Sequence, residues 1–137
     1  MQKRFSALFI AIAAAVGAAS TSAQAAELLK MRVNVQQEKR NAVIHFSKAA
    51  IGQVAVPSDA DYNAFIGVTS DFGDSIPAYV VFKTMMSLED GLKYAEHQGA
   101  IHGEARCELV QKGNSPDAPA IGVAVLAQNC TIISAKY

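Results

Sequence analysis

The 137-residue chain balances 12 Lys and Arg against 12 Asp and Glu, has three His and two Cys, and contains no Trp. Balanced charge excludes the strongly basic face expected of a nucleic-acid binder. An apolar content of 51% excludes a disordered chain, and the length fits one domain.

The chain opens with the three parts of a cleavable export signal. Lys3 and Arg4 supply the positive start, Ala7 to Val16 is an uncharged apolar run, and Ala23-Gln24-Ala25 fits the small-x-small cleavage rule. Cleavage is expected after Ala25, with Ala26 as the next choice. The apolar run is far short of the ~20 residues that cross a bilayer, and no later run is long enough. Residues 1–25 are therefore expected to be removed, leaving 26–137 as a single small β-rich domain. Losing Lys3 and Arg4, and no acid, takes the formal charge from zero to −2.

Leu29 to Gln36 alternates apolar and polar, the period of a half-buried strand. Glu38-Lys39-Arg40-Asn41 reads as a polar turn and Ala42 to Ser47 as a second strand, so a hairpin is expected here. Ile51 to Val56 is a further short strand, stopped by Pro57. Pro57 to Asn63 is turn-rich. Ala64 to Thr69 is a strand, Ser70 to Ser75 a loop, and Pro77 to Thr84 a buried strand.

Ser87 reads as a helix N-cap with Asp90 three residues on, a short-acid form of the capping box. The helix runs over about 87–98, with Leu88, Leu92 and Ala95 as its apolar stripe and Gly99 as its stop. Gly91 weakens it by roughly 1 kcal/mol relative to Ala. In the next strand, Ala100 to Gln111, Ile101, Gly103, Ala105, Cys107 and Leu109 alternate with a polar face of His102, Glu104, Arg106 and Glu108. Lys112 to Ala120 is a loop, and Ile121 to Ser134 a long strand.

Cys107 and Cys130 are an even pair in a chain bound for an oxidising compartment, where a disulfide is expected. The bridge closes a loop of about two dozen residues, worth about 3 kcal/mol in the chain-entropy picture. It also sets the last hairpin's register. Cys107 meets Cys130 only if facing residue numbers sum to 237, which puts the turn within Asp117-Ala118-Pro119-Ala120, where Pro is at home.

The expected fold is mainly β (α+β), an OB-like five- to six-stranded antiparallel barrel or sheet with one helix. The C-terminal half, residues 87 to 134, resembles small exported OB-fold domains. These have a helix between their third and fourth strands, then a strand of pattern V-x-G-x-x-x-C and a last strand ending x-x-C-x-I. Ile101, Gly103, Cys107, Cys130 and Ile132 match that pattern here. The resemblance implies a binding module for oligonucleotides, oligosaccharides or proteins and brings no catalytic residues with it.

Catalytic patterns are missing. Asp59-Ala60-Asp61-Tyr62-Asn63 begins like a calcium loop, but Ala64 and Ser70 stand where Gly and Glu are required. There is no Gly-x-Ser-x-Gly and no phosphate-cradling glycine loop. His45 reads as a surface or internally satisfied histidine, and Met85-Met86 as a plug above the helix. His97 and His102, beside Glu96 and Glu104, are weak metal candidates with no known ligand spacing.

No cofactor is implied. The leading expectation is a non-catalytic periplasmic or secreted binding domain whose partner is an envelope protein or glycan. Its candidate contacts are Tyr62, Asp71, Phe72, Asp74, Tyr79, His102, Glu104, Arg106 and Glu108. The alternatives are a small metal-dependent envelope enzyme using His97 and His102, and an envelope assembly subunit or inhibitor of a secreted enzyme.

Overall fold

A computed structural model describes residues 28–56 and 61–137. The predicted signal, residues 1–25, lies outside the described residues, as does most of the turn expected at 57–63. The elements in chain order are β1 (Leu28–Lys30), β2 (Asn34–Ala55), β3 (Asp61–Phe72), β4 (Asp74–Phe82), α1 (Leu88–Ala95), β5 (Ile101–Asn114) and β6 (Val123–Lys136). Among the described residues the fold is mainly β with one α-helix, as the sequence pattern implied. The strands run in the order β1-β2-β3-β4-β6-β5, and β5 pairs back onto β2 to complete a barrel-like ring.

The sheet is mixed, not antiparallel throughout. β4 runs parallel to β6 and β1 runs parallel to the end of β2. The connection through α1 carries the chain from β4 to the far side of β6. β6 then fills the gap between β4 and β5, antiparallel to β5 and hence parallel to β4.

β2 corrects the expected N-terminal hairpin. Residues 38–41 are not a turn: Glu38, Lys39 and Arg40 pair with Gln111, Val110 and Leu109 in the middle of a 22-residue strand. Residues 34–41 of β2 are exposed and pair on one side only, with β5, whose other side pairs with β6, so their polarity marks a solvated sheet edge. Asn41 takes φ +50 within the strand, a conformation Asn tolerates better than most residues. The actual bend comes later, at bulges around Ser47 to Ala50, where Lys48 has φ +52. Before the bend β2 pairs with β5; beyond it β2 pairs with β3.

The last hairpin follows the register that the cysteines require. From Ala105↔Ile132 to Asn114↔Val123 facing numbers sum to 237, Cys107 faces Cys130, and the two form a disulfide. The turn holds a short 3-10 segment at Pro119–Ile121. A bulge between Glu104 and Ala105 shifts the register at the other end. There Gly103 lies so close to β6 that a Cβ would collide with the Ser134 carbonyl, which gives the glycine of the strand pattern a steric reason.

Two apolar cores lie on opposite faces of the sheet. Inside the ring, Phe65 is fully buried and packs on Phe46, edge-on to Phe82 and edge-on to Tyr94, with centroids 5.3, 4.8 and 5.1 Å apart. Tyr94 comes from α1, so the helix closes one end of the ring. The outer face of β2, β3, β4 and β6 carries Val54, Ala64, Tyr79, Val81 and Leu126. The segment between β1 and β2 crosses this face as an arm, with Met31 only 1% exposed beneath it. β4 is buried on both faces for this reason, and its residues 78–82 show no alternation.

The arm is held by the β1–β2 pairing, by the Met31 N–H donating to the Ala55 carbonyl at 3.0 Å, and by Arg32. Arg32 donates to both oxygens of Asp117, each at 2.8 Å. Its guanidinium holds the Asp117 carboxyl below the usual carboxylate range, and Asp117 raises Arg32 in return.

The apolar stripe of α1 does not meet the core. Leu88, Leu92 and Ala95 face solvent, while Gly91, Tyr94 and His97 turn inward. The helix is capped as expected: the Ser87 hydroxyl accepts the Asp90 N–H at 3.2 Å. It ends at Ala95, and turns lead through Gly99 at φ +81.

The two glycines give opposite expectations in urea denaturation. At Gly91 the nearest atom to an added Cβ is the Met86 sulfur at 3.9 Å, so Gly91→Ala should raise stability by about 0.5–1 kcal/mol. Gly103→Ala should cost about 1–3 kcal/mol through overpacking. The arm should respond to acid. A carboxyl with a depressed folded-state pKa stabilises above its unfolded value, and that contribution is lost as pH falls through the folded value. Hydrogen exchange at the Met31 amide, corrected for intrinsic rate, should therefore rise below about pH 4. In Asp117→Asn it should be raised at neutral pH and insensitive to that acid step.

Candidate functional site

β5 and the bend in β2 present one polar surface. His45 faces Glu104 across the two strands. Its ring lies between two carboxylates, with Nδ1 3.2 Å from Asp71 Oδ1 and Nε2 3.3 Å from Glu104 Oε2. The His45 backbone N–H also donates to Asp71 Oδ2 at 2.7 Å. Asp71 thus stands in for a strand neighbour where β3 has departed from regular pairing. The sequence pattern marked Asp71 and Glu104 but not their partner. His45 was legible only as a strand histidine, because its acids lie 26 and 59 positions away.

The remaining expected contacts scatter. Tyr62 is placed by its backbone alone, opposite Val54. Phe72 is half-buried near the tip of the β3–β4 hairpin, under Lys39 with Nζ 4.6 Å from the ring centroid. Gly73 makes the turn at φ +106, and Asp74 follows it, exposed.

Tyr79 offers no contact surface. It is buried in the outer core, and that burial pushes its phenol pKa up. The expectation failed because a strand buried on both faces hides a tyrosine whichever way it points. His102 and Arg106 are exposed, opposite Lys136 and Thr131. Glu108 accepts from Lys83 at 3.3 Å and from Asn129 at 3.2 Å.

His97 stacks on Tyr137, ring centroids 3.7 Å apart and planes 17° from parallel. Among the described residues no group of three or more His, Cys, Asp or Glu is arranged to hold a metal ion. The structure therefore does not gather His97, His102 and their neighbouring acids into a ligand set.

A concave site lies elsewhere, between the β4–α1 connection and β6. It has a volume of about 370 Å³, within the range of small ligand pockets. Phe82, Met86, Tyr94, Cys130 and Ile132 form its apolar part; Lys83, Thr84, Met85, Ser87, Asp90 and Thr131 complete it. β4 and β6 set the floor, because the Lys83 N–H donates to the Cys130 carbonyl at 2.8 Å and holds the end of β4 against β6. Tyr94 reaches the site from the inward face of α1. Burial, with Tyr137 and Asp90 nearby, raises the Tyr94 phenol above its ordinary value.

Of the expected Met85-Met86 plug, only Met86 takes that place. Met86 packs half-buried against the inner core, while Met85 is 55% exposed at the groove. No sequence pattern marked this groove, since its residues come from three elements and show no common spacing.

Chemically, the polar surface and the groove differ. On the polar surface His45, Glu104, Asp71 and Glu108 already have partners within the molecule. The groove combines an apolar floor with hydroxyls and one carboxylate around an opening. Comparison with protein-family models, with curated proteins and with solved structures gives no match to the chain.

Asp71 is assigned a structural part and Asp74 none, which denaturation can separate. Asp71→Ala removes the acceptor of the His45 N–H and should cost about 1 kcal/mol. Asp74→Ala should change stability by less than about 0.5 kcal/mol.

Proposed function

We propose that this chain is an exported, non-catalytic binding domain of the OB type, and that it binds through the groove between the β4–α1 connection and β6. The groove carries the proposal: it is open, apolar at its floor and edged by polar groups, the usual make-up of a ligand site.

The OB reading draws support from the ring. Leaving β1 aside, the ring has five strands, and α1 falls between its third and fourth, β4 and β5. Gly103, Cys107, Cys130 and Ile132 sit on the last two strands in the expected order. The export reading rests on the sequence of residues 1–25 and is compatible with the Cys107–Cys130 disulfide. Among the described residues no helix is long and apolar enough to cross a membrane.

The neutral fluorophore N-phenylnaphthylamine tests the groove. It should gain fluorescence with the purified domain and shift amide resonances of Thr84, Met86, Tyr94 and Thr131. Met86→Glu should abolish both effects. Binding elsewhere, or none, overturns the assignment. For the export half, envelope fractions should yield a chain that begins at Ala26; retention of residues 1–25 on a cytoplasmic protein refutes it.

A further inference from the structure

The groove holds one charge that the molecule leaves unmatched. Of its lining residues only Lys83 and Asp90 are charged. Lys83 is already paired with Glu108, Nζ to Oε2 at 3.3 Å. Asp90 takes part in no ion pair among the described residues. The helix cap uses its backbone N–H, which donates to the Ser87 hydroxyl, and not its carboxylate. Two neighbouring cations stand outside the lining: Arg106, opposite Thr131, and Lys93, with Nζ 6.0 Å from the Tyr137 ring centroid.

Aromatic rings accompany that carboxylate. Asp90 and Tyr94 are four positions apart on the groove side of α1. After burial and Tyr137, the charge of Asp90 also raises the Tyr94 phenol, so the two groups lie within each other's field. Phe82 and Tyr94 both pack edge-on to Phe65, with centroids 4.8 and 5.1 Å away, which brings both rings to the same end of the barrel-like ring. A hard metal ion wants ~six or more oxygen ligands, and Asp90 belongs to no cluster of acids that could supply them. An organic ammonium group fits on two counts. It needs only one carboxylate, and the faces of aromatic rings attract it. An anionic ligand would meet Asp90 with like charge.

We infer that the ligand of the groove is a small organic cation, an apolar body with one ammonium group. Its body lies on Phe82, Met86 and Ile132, and its charge sits at Asp90. This rests on the groove being the binding site and names the chemical class that enters it. Met86 suits the role, because an unbranched thioether side chain adapts to varied apolar shapes. Asp90 is exposed, and a solvated ion pair discriminates by a few-fold and not by orders of magnitude.

Three naphthalene probes of similar shape test this by NMR titration of the mature domain: cationic 1-naphthylmethylamine, neutral 1-naphthalenemethanol and anionic 1-naphthoate. The amine should shift the amides of Asp90, Tyr94 and Thr131 and bind about three- to fivefold more tightly than the alcohol at low salt. The carboxylate should bind more weakly than either. In Asp90→Asn the amine and the alcohol should bind alike. Glu89→Gln, one residue away and outside the groove lining, should keep the preference for the amine. An amine that binds no more tightly than the alcohol overturns the inference, as does a preference that survives Asp90→Asn or is lost in Glu89→Gln. If the alcohol binds in the groove and the amine shows no advantage, the ligand class is wrong and the site stands. If no probe shifts the groove amides, both fall.

Discussion

One strand has to serve two neighbours, and the rest of the molecule is arranged around how it does so. β2 leaves β5 and joins β3 within a few residues, which it can do only by breaking its ladder. A broken ladder strands backbone donors and acceptors, and each one buried without a partner costs about 1–3 kcal/mol. Three residues from two other parts of the chain supply the missing partners. Asp71, at the end of β3, accepts the His45 N–H. Gln98 Oε1, past the helix, accepts the Ile51 N–H at 2.8 Å, and the Gly99 N–H donates to the Ala49 carbonyl at 3.0 Å. The exit of α1 is thereby pinned to the bend.

That pinning also sets which face of α1 turns inward. With its C-terminal turn fixed at Ala49 and Ile51, the helix sits over one end of the ring and Tyr94 meets Phe65 edge-on. Leu88 and Leu92 then have to point away. A helix placed by hydrogen bonds at its end and by one aromatic contact does not need its leucines for folding. The disulfide works at the opposite strand pair. It fixes β5 against β6 and supplies Cys130 to the groove floor, so the bend and the bridge together hold the two sides of the groove.

The parts that could be read from the sequence are those governed by neighbours along the chain. The Ser87 cap, the alternation of Ile101 to Cys107 and the register forced by two cysteines are of that kind. What stayed hidden depends on distant partners. Residues 38–41 look like a turn because this edge stretch of β2 is exposed throughout, and polarity alone cannot separate a turn from a solvated edge strand. The stripe at Leu88, Leu92 and Ala95 was visible, but periodicity finds a stripe without saying whether it meets the core. β4 hides the same information from the other direction: when both faces are buried, no alternation survives to show where Tyr79 points. The groove was invisible for a similar reason, since β4, α1 and β6 each contribute residues with no spacing in common.

These misreadings share a cause that bears on function. A core residue and a binding residue can look alike in sequence when both are apolar, and only the fold separates them. Leu88 and Leu92 form an apolar stripe on pattern, yet the ring is already closed by Tyr94 and they are exposed. Three of the polar residues first marked as contacts went the other way, since Asp71 and Glu104 bracket His45 and Glu108 joins Lys83 to Asn129, while Asp74, His102 and Arg106 are exposed. Exposed apolar groups and partnered Asp71, Glu104 and Glu108 reverse the usual expectation for those positions. Desolvating a paired charge costs several kcal/mol that a new contact has to recover, whereas covering an exposed leucine is favourable by roughly 25 cal/mol per Å². On that balance the groove suits the proposed binding better than the partnered part of the polar strand face.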